Sequence, residues 1–201
     1  MYVRDAKNRE EVWLLDHIES MGLDDTAFRS RDYVVAIDEE SGEKAGFGRI
    51  RVHKFGPGSD DDDETHEVCE LTSIGVLEGW REQGVGAHVV ERLVEYASDQ
   101  GFETVYTLTG EGGYLTQFGF QRIDEPRLPE PLQRRLEEKR DGVDPDAKPL
   151  AIDVAEFRVP DRLREAFKRA PEGREEASTD ETPEDFGIDP DSATYKYDTG
   201  R

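Results

Sequence analysis

The stretch Trp80-Arg81-Glu82-Gln83-Gly84-Val85-Gly86-Ala87 joins a run of strand character, Val68 to Val76, to a run of helical periodicity, Val85 to Ser98. An Arg-x-x-Gly-x-Gly turn that opens a helix has the chemistry of a phosphate cradle. Glycine lets backbone approach a ligand with no Cβ in the way. The first-turn N–H groups of a helix have no internal partner and face any arriving anion. Arg81 can add a guanidinium fork. The plain alternative is a tight strand-to-helix turn with no ligand, so the flanking sequence decides.

Downstream of the turn, Val85, Val89, Val90, Leu93, Val94 and Ala97 form one apolar helical stripe that Gly101 ends. Thr104 to Leu108 is a β-branched strand, and Gly110 to Phe118 holds a short helix with a glycine-rich entry. Phe120 to Ile123 starts another strand. Pro131 to Lys139 is helical, Leu150 to Phe157 alternates like a closing strand, and a helix runs from Pro160 to Arg169. Upstream, Tyr2-Val3-Arg4 reads as a strand. Asn8 caps a helix reaching Met21, and Asp24 to Arg31 reads as a second short helix. Tyr33–Ile37 and Ala45–His53 pair as a hairpin. Strand–helix alternation after Glu67 requires a layered α/β domain, to which the hairpins add antiparallel strands.

The spacing of these parts resembles the GNAT superfamily of acyl-CoA-dependent N-acetyltransferases. The resemblance is carried by Glu67-Val68-Cys69-Glu70-Leu71-Thr72-Ser73-Ile74-Gly75-Val76, the Arg-x-x-Gly-x-Gly turn, and Gly113-Tyr114-Leu115-Thr116-Gln117-Phe118-Gly119-Phe120. It spans roughly Tyr2 to Val159 and is most specific between Glu70 and Phe120. Leu108-Thr109, Tyr114 to Phe120 and Leu128-Pro129-Glu130 are loosely similar to the small-molecule branch that includes amino-acid N-acetyltransferases. The resemblance implies an α/β (α+β) fold with a mixed, mostly antiparallel sheet flanked by helices. That sheet is splayed between its fourth and fifth strands, with acyl-CoA in the opening.

It also implies roles for particular residues. Backbone groups of Ile74, Gly75 and Val76 meet the pantetheine arm like an added strand. Gln83, Gly84, Val85, Gly86 and Ala87 cradle the pyrophosphate with Arg81 close by, and Thr109 with Gly112-Gly113 lies toward the thiol end. Glu70 is the candidate base. In an unbulged strand it shares a face with Val68, Thr72, Ile74 and Val76, where desolvation would raise its pKa. The alternative is an exposed charge at the strand's mouth. Tyr114 is the candidate acid for the departing thiolate, with packing under the cofactor as its alternative and Tyr106 as a weaker substitute. The family pattern is Phe-Tyr-x-x-x-Gly-Phe, and Leu115 holds its Tyr position here. Tyr114 is therefore turned by about 100° on a helix.

Composition bounds the rest. The chain has 201 residues, enough for one domain with a real core, which we place at residues 1–170. From 171 to 201, Pro, Gly, Ser, Thr, Asp and Glu dominate, which reads as a poorly ordered acidic tail. Net charge is −22, with seven Lys against nineteen Arg, a balance suited to a halophile's cytoplasm. At molar salt the Debye length is only about 3 Å, so crowded carboxylates barely repel. With no basic stripe, nucleic acid is disfavoured as a partner. No apolar run approaches a membrane span and the N-terminus lacks a signal h-region, so a cytoplasmic location is expected. Cys69 is alone, which excludes an internal disulfide, and alternation places it opposite Glu70 as a small buried residue. Four scattered histidines give no metal-ligand spacing, and no metal is expected. Asp60 to Asp63 lacks the alternation and central Gly of a calcium loop and reads as a solvated hairpin tip. Trp13 and Phe28 fall either on the acceptor wall or in the core.

The expected activity is direct transfer of acetyl from acetyl-CoA to a primary amine within a ternary complex. The acceptor class is a small molecule such as an amino acid, and a homodimer is compatible with the reading. The rivals are a protein or peptide acetyltransferase and a non-catalytic acyl-CoA sensor.

Overall fold

The computed structural model describes residues 1–56 and 66–178, with side chains described as far as Ala170. The Asp60–Asp63 run and the chain beyond 178 lie outside the described residues. Seven strands form one sheet in the order β1-β2-β3-β4-β5-β7-β6. They are β1 (Tyr2–Asp5), β2 (Tyr33–Ile37), β3 (Lys44–Phe55), β4 (His66–Val76), β5 (Thr104–Thr109), β6 (Gln121–Arg122) and β7 (Lys148–Asp153). All neighbours are antiparallel except β4 and β5. The helices are α1 (Glu11–Ser20), α2 (Val85–Asp99), α3 (Gly112–Leu115), α4 (Glu130–Asp141) and α5 (Asp161–Ser178). The mixed, mostly antiparallel sheet flanked by helices is the fold expected.

Alternation along β2 divides the core. Val34 and Ala36 join the layer under α2 and α5, while Tyr33, Val35 and Ile37 join the layer under α1 with Leu14, Ile18 and Phe47. The apolar stripe of α2 is buried from Val85 to Ala97. A third cluster lies under α4, where Leu128, Leu132 and Leu136 meet Leu108 and Ala147.

The β4–β5 pair is parallel over three residues only, Cys69 to Leu71 against Val105 to Thr107. Beyond Leu71 the two strands part. A second irregularity sits just past that point. β3 advances from Arg49 to Phe47 while β4 advances from Thr72 to Gly75, and Ser73 takes φ +48°. This is a β-bulge, which shifts every later side chain to the other face. The shared face expected for Glu70, Ile74 and Val76 is thereby corrected. Glu70 and Thr72 stay together, while Ile74 and Val76 turn toward the α2 layer that holds Cys69 and Leu71. Gly75 faces the α1 side, where a Cβ would meet Met21 Sδ at 2.7 Å and Phe47 Cζ at 2.8 Å.

Three local expectations differ from the structure. The cap at the first helix is not Asn8. A 3-10 turn spans Asn8–Glu10, and the Glu10 carboxylate accepts the Lys7 N–H at 2.7 Å and both Arg4 nitrogens at 2.8 Å. Asp24 to Arg31 is not a helix. Buried Arg49 takes the Thr26 and Ala27 carbonyls at 2.8 and 2.5 Å, groups a helix would have used, and Ala27 sits at φ +52°. The closing strand ends at Asp153, whose side chain accepts the Ala155 N–H at 2.9 Å and starts a turn.

The last helix continues past Arg169 to Ser178 and lies against the start of α2. Phe167 stacks on His88 with ring centroids 3.8 Å apart, and Arg164 pairs with Glu91 at 2.6 Å. At Gly84, φ +75°, a Cβ would collide with the Leu163 carbonyl oxygen and lie 3.0 Å from Phe167 N. Gly84→Ala is therefore expected to lower stability by at least about 1–2 kcal/mol, the left-handed penalty alone. Denaturant melts would show it, and an unchanged midpoint would contradict this packing.

Candidate active site

A cavity of 480 Å³ opens where β4 and β5 part. One end meets the glycine turn through Arg81, Gly84, Val85 and Gly86. The walls carry Ile74, Val76, Thr109 and Tyr114, and the far end carries Thr72, Ser73, Lys139, Asp24 and Asp144. Sequence spacing thus brought Ile74, Val76, Arg81, Gly84, Val85, Gly86, Thr109 and Tyr114 to one cavity. Four predicted residues do not line it. Gly75 faces α1, and Ala87 is buried in the core. The Gln83 side-chain amide donates to the Gly79 carbonyl at 3.1 Å, which braces the turn from behind. The fourth is Glu70.

Glu70 is fully buried and does not border the cavity. It sits opposite Arg51 in the β3–β4 ladder, and the His53 ring N–H donates to its Oε2 at 2.8 Å. From α4, Arg135 Nε lies 3.5 Å from Oε2 and Lys139 Nζ 3.4 Å from Oε1. Burial alone would raise its pKa, as the sequence led us to expect. The His53 hydrogen bond and the charges of Lys139, His53 and Arg51 outweigh burial and hold the carboxyl below its usual range. That expectation is corrected, because His53 on the neighbouring β3 and the cations of α4, about 70 residues downstream, all face the carboxylate.

Lys139 carries information that periodicity did not reveal. Its ammonium donates to Thr72 Oγ1 on β4 at 3.0 Å and to the Leu108 carbonyl on β5 at 2.9 Å. These residues follow directly after the last paired rung, Leu71 with Thr107. The ammonium bridges the two strands where they separate and satisfies a carbonyl that lost its ladder partner. Desolvation lowers its pKa, and Glu70 opposes that effect. Arg135, also buried, pairs with the Asp24 carboxylate, and Ser73 Oγ donates to the Asp24 carbonyl at 2.6 Å. The only advance signal was Arg135 and Lys139 one helical turn apart on α4, a pattern that surface helices also show.

Tyr114 sits on the wall between the two ends. Its hydroxyl lies 3.1 Å from the position of a Cβ on Gly86, and its ring meets Phe118 edge-on at 5.3 Å. Burial raises its pKa, with nearby Arg162 opposing, so the phenol stays protonated near neutrality. Cys69 is buried, and desolvation pushes its thiol up to about 12, so it is inert as a nucleophile. Trp13 and Phe28 pack against the α1 core, and Trp13 also borders a separate cavity of 580 Å³ with His17, Lys44 and Trp80. Among the described residues no group of three acidic, His or Cys side chains could hold a metal ion. Among them, too, no helix is long and apolar enough to cross a membrane.

The sequence matches the Acetyltransferase (GNAT) family over residues 3–120, more than half of the chain. The chain belongs to the GNAT acetyltransferase family. An uncharacterized N-acetyltransferase of Chlorobaculum tepidum is 30% identical over 70 residues, which cover 35% of this chain and 45% of that relative. The GNAT chain thus spans less than half the length of that curated relative. Its fold is similar to a Mycobacterium tuberculosis protein solved with CoA and NLQ, at TM-score 0.59 and 15% identity, covering 76% of this chain and 99% of the other. It is also similar to N-acetylglutamate synthase from Neisseria gonorrhoeae, solved with coenzyme A and N-acetyl-glutamate. There the TM-score is 0.55 and the identity 17%, covering 76% of this chain and 34% of the other.

Removing the Glu70 charge tests the buried network. Its folded pKa is lowered, so its stabilisation is present above the ordinary carboxylate value of about 4.3 and fades as pH falls below it. Glu70→Gln should destabilise by roughly 3–5 kcal/mol at neutral pH, because it leaves buried cations uncompensated. The deficit should shrink toward acid pH in melts across the range. A deficit independent of pH would contradict the network.

Proposed function

We propose that the protein transfers acetyl from acetyl-CoA to the primary amine of a small molecule, directly, within a ternary complex. The observation that carries the reading is the cavity between parted β4 and β5, with a glycine turn and helix start at one end and polar groups at the other. The N–H groups at the start of α2 would hold the pyrophosphate, with Arg81 beside them. The pantetheine arm would run past Ile74 and Val76 toward Thr72. The neutral amine attacks the thioester carbon, and the carbon–sulfur bond breaks as the tetrahedral intermediate collapses. The nitrogen gives up a proton to solvent water, and the thiolate takes one from the Tyr114 phenol, which water then re-protonates.

Tyr114 is the one phenol on the cavity wall among the described residues, and it is protonated, so it is the group we assign to the thiolate. Glu70 acts as a positioning residue. Buried and paired, it holds the Lys139 ammonium across the strands rather than meeting the amine.

Three measurements test this reading. Gly86→Glu should abolish acetyl-CoA binding in calorimetry while circular dichroism stays native. It places bulk and negative charge where Tyr114 and Val76 already lie within 3.2 Å of the Cβ position. Retained affinity would remove the pyrophosphate from this turn. Tyr114→Phe should lower kcat by about 10²-fold, the lower end for general acid–base catalysis, with little change in acetyl-CoA affinity. An unchanged kcat would free Tyr114 from the chemistry. Acetyl-CoA affinity should also tighten from dilute to molar salt, because salt screens the ligand's phosphates from a chain of charge −22. A flat trend, measured where the fold is intact, would exclude long-range repulsion.

A further inference from the structure

We propose that the acceptor is a small amine with a second positive charge and no carboxylate, a linear diamine or polyamine, and that Asp144 receives its distal ammonium. The inference rests on the acetyl-transfer reading and adds the acceptor class.

An amino-acid acceptor brings a carboxylate, and a buried carboxylate needs a cation or several donors. The cavity wall has two cations among the described residues, Arg81 and Lys139. Arg81 stands at the glycine turn, where the cofactor's phosphates would sit. Lys139 is at the far end, but an ammonium has three donors. Here they face Thr72 Oγ1 at 3.0 Å, the Leu108 carbonyl at 2.9 Å and Glu70 Oε1 at 3.4 Å. Receiving a substrate carboxylate would strand one of these, including a fully buried glutamate. Arg135 is no substitute, because it lies off the cavity wall and is paired with Asp24.

The anions at the far end are differently placed. The Asp24 carboxylate is committed to Arg135 and to the Thr26 N–H at 2.9 Å. Asp144 is held by a single neutral donor, the Gly110 N–H, at 2.8 Å from Oδ2. That bond aims the carboxylate, and among the described residues no Lys, Arg or His lies within 4.0 Å of it. It keeps acceptor capacity on the cavity wall beside Gly110, just past the end of β5, with Lys139 the cation near enough to feel its charge. At low ionic strength the chain's charge of −22 works in the same direction, since it concentrates a dication more than a zwitterion.

The test compares three amines of one chain length. Cadaverine carries two ammonium groups, n-pentylamine one, and lysine adds a carboxylate to the cadaverine skeleton. Calorimetric titration into the full-length protein loaded with CoA should give cadaverine the tighter binding by about tenfold over each of the others, as expected for a charge-assisted hydrogen bond. Asp144→Asn keeps an acceptor for the Gly110 N–H and should bring the cadaverine-to-pentylamine ratio close to one. Lysine binding as tightly as cadaverine would overturn the proposal, and so would a ratio unmoved by Asp144→Asn. Thiol release from acetyl-CoA with the same amines reads the transfer reaction separately. Absence of turnover would sink acetyl transfer without touching the charge preference.

Discussion

A parallel strand pair that separates after three rungs leaves backbone groups facing a gap, and something must meet them. In this protein a side chain does so from one face of the sheet. The Lys139 ammonium joins the Thr72 hydroxyl of β4 to the Leu108 carbonyl of β5. Moving an ammonium into that position is costly, and Glu70 offsets the cost from below the bridge. His53, Arg51 and Arg135 then keep Glu70 ionised. The cavity, the exposure of the strand edges and the direction of the wall residues all follow from keeping these strands apart at that point. A carboxylate buried in the middle of a sheet is thus better understood as a counter-ion to the bridge than as a group waiting for substrate.

The bulge at Ser73 works with the parting. It turns Ile74 and Val76 onto the α2 face, and the Ser73 hydroxyl ties the β4 backbone to the loop carrying Asp24. Arg49 draws that same loop inward through the Thr26 and Ala27 carbonyls. One wall of the cavity is therefore set by hydrogen bonds from the sheet to an irregular segment rather than by a helix.

Much of the frame was legible because it repeats. The α2 stripe, the β2 alternation and the turn at Gly84–Gly86 each announce themselves within a dozen residues, and the strand order follows from the family resemblance they support. What stayed hidden depends on contacts between distant segments. The bulge has no mark of its own in Thr72-Ser73-Ile74, so the face of Glu70 was misassigned relative to Val76. The sign of the Glu70 pKa shift depends first on His53 from β3 and then on Lys139 from α4, neither of which a local pattern in β4 announces. Local propensity favours a helix at Asp24 to Arg31, and a buried guanidinium from β3 overrides it. In the site, the glycine turn is legible in the sequence, while the polar groups around Lys139 depend on contacts between distant segments.

The family match ends at residue 120. Lys139, which spans the parted strands, and Leu163 and Phe167, which press on the back of Gly84 and His88, all come later in the chain. The shared core is therefore completed by parts from outside it. Two family members could align well through the glycine turn and still differ in how wide the strands stand and how firmly the turn is backed. Those two quantities set the shape of the cavity, so it can change through the C-terminal segment while the signature of the core stays unchanged.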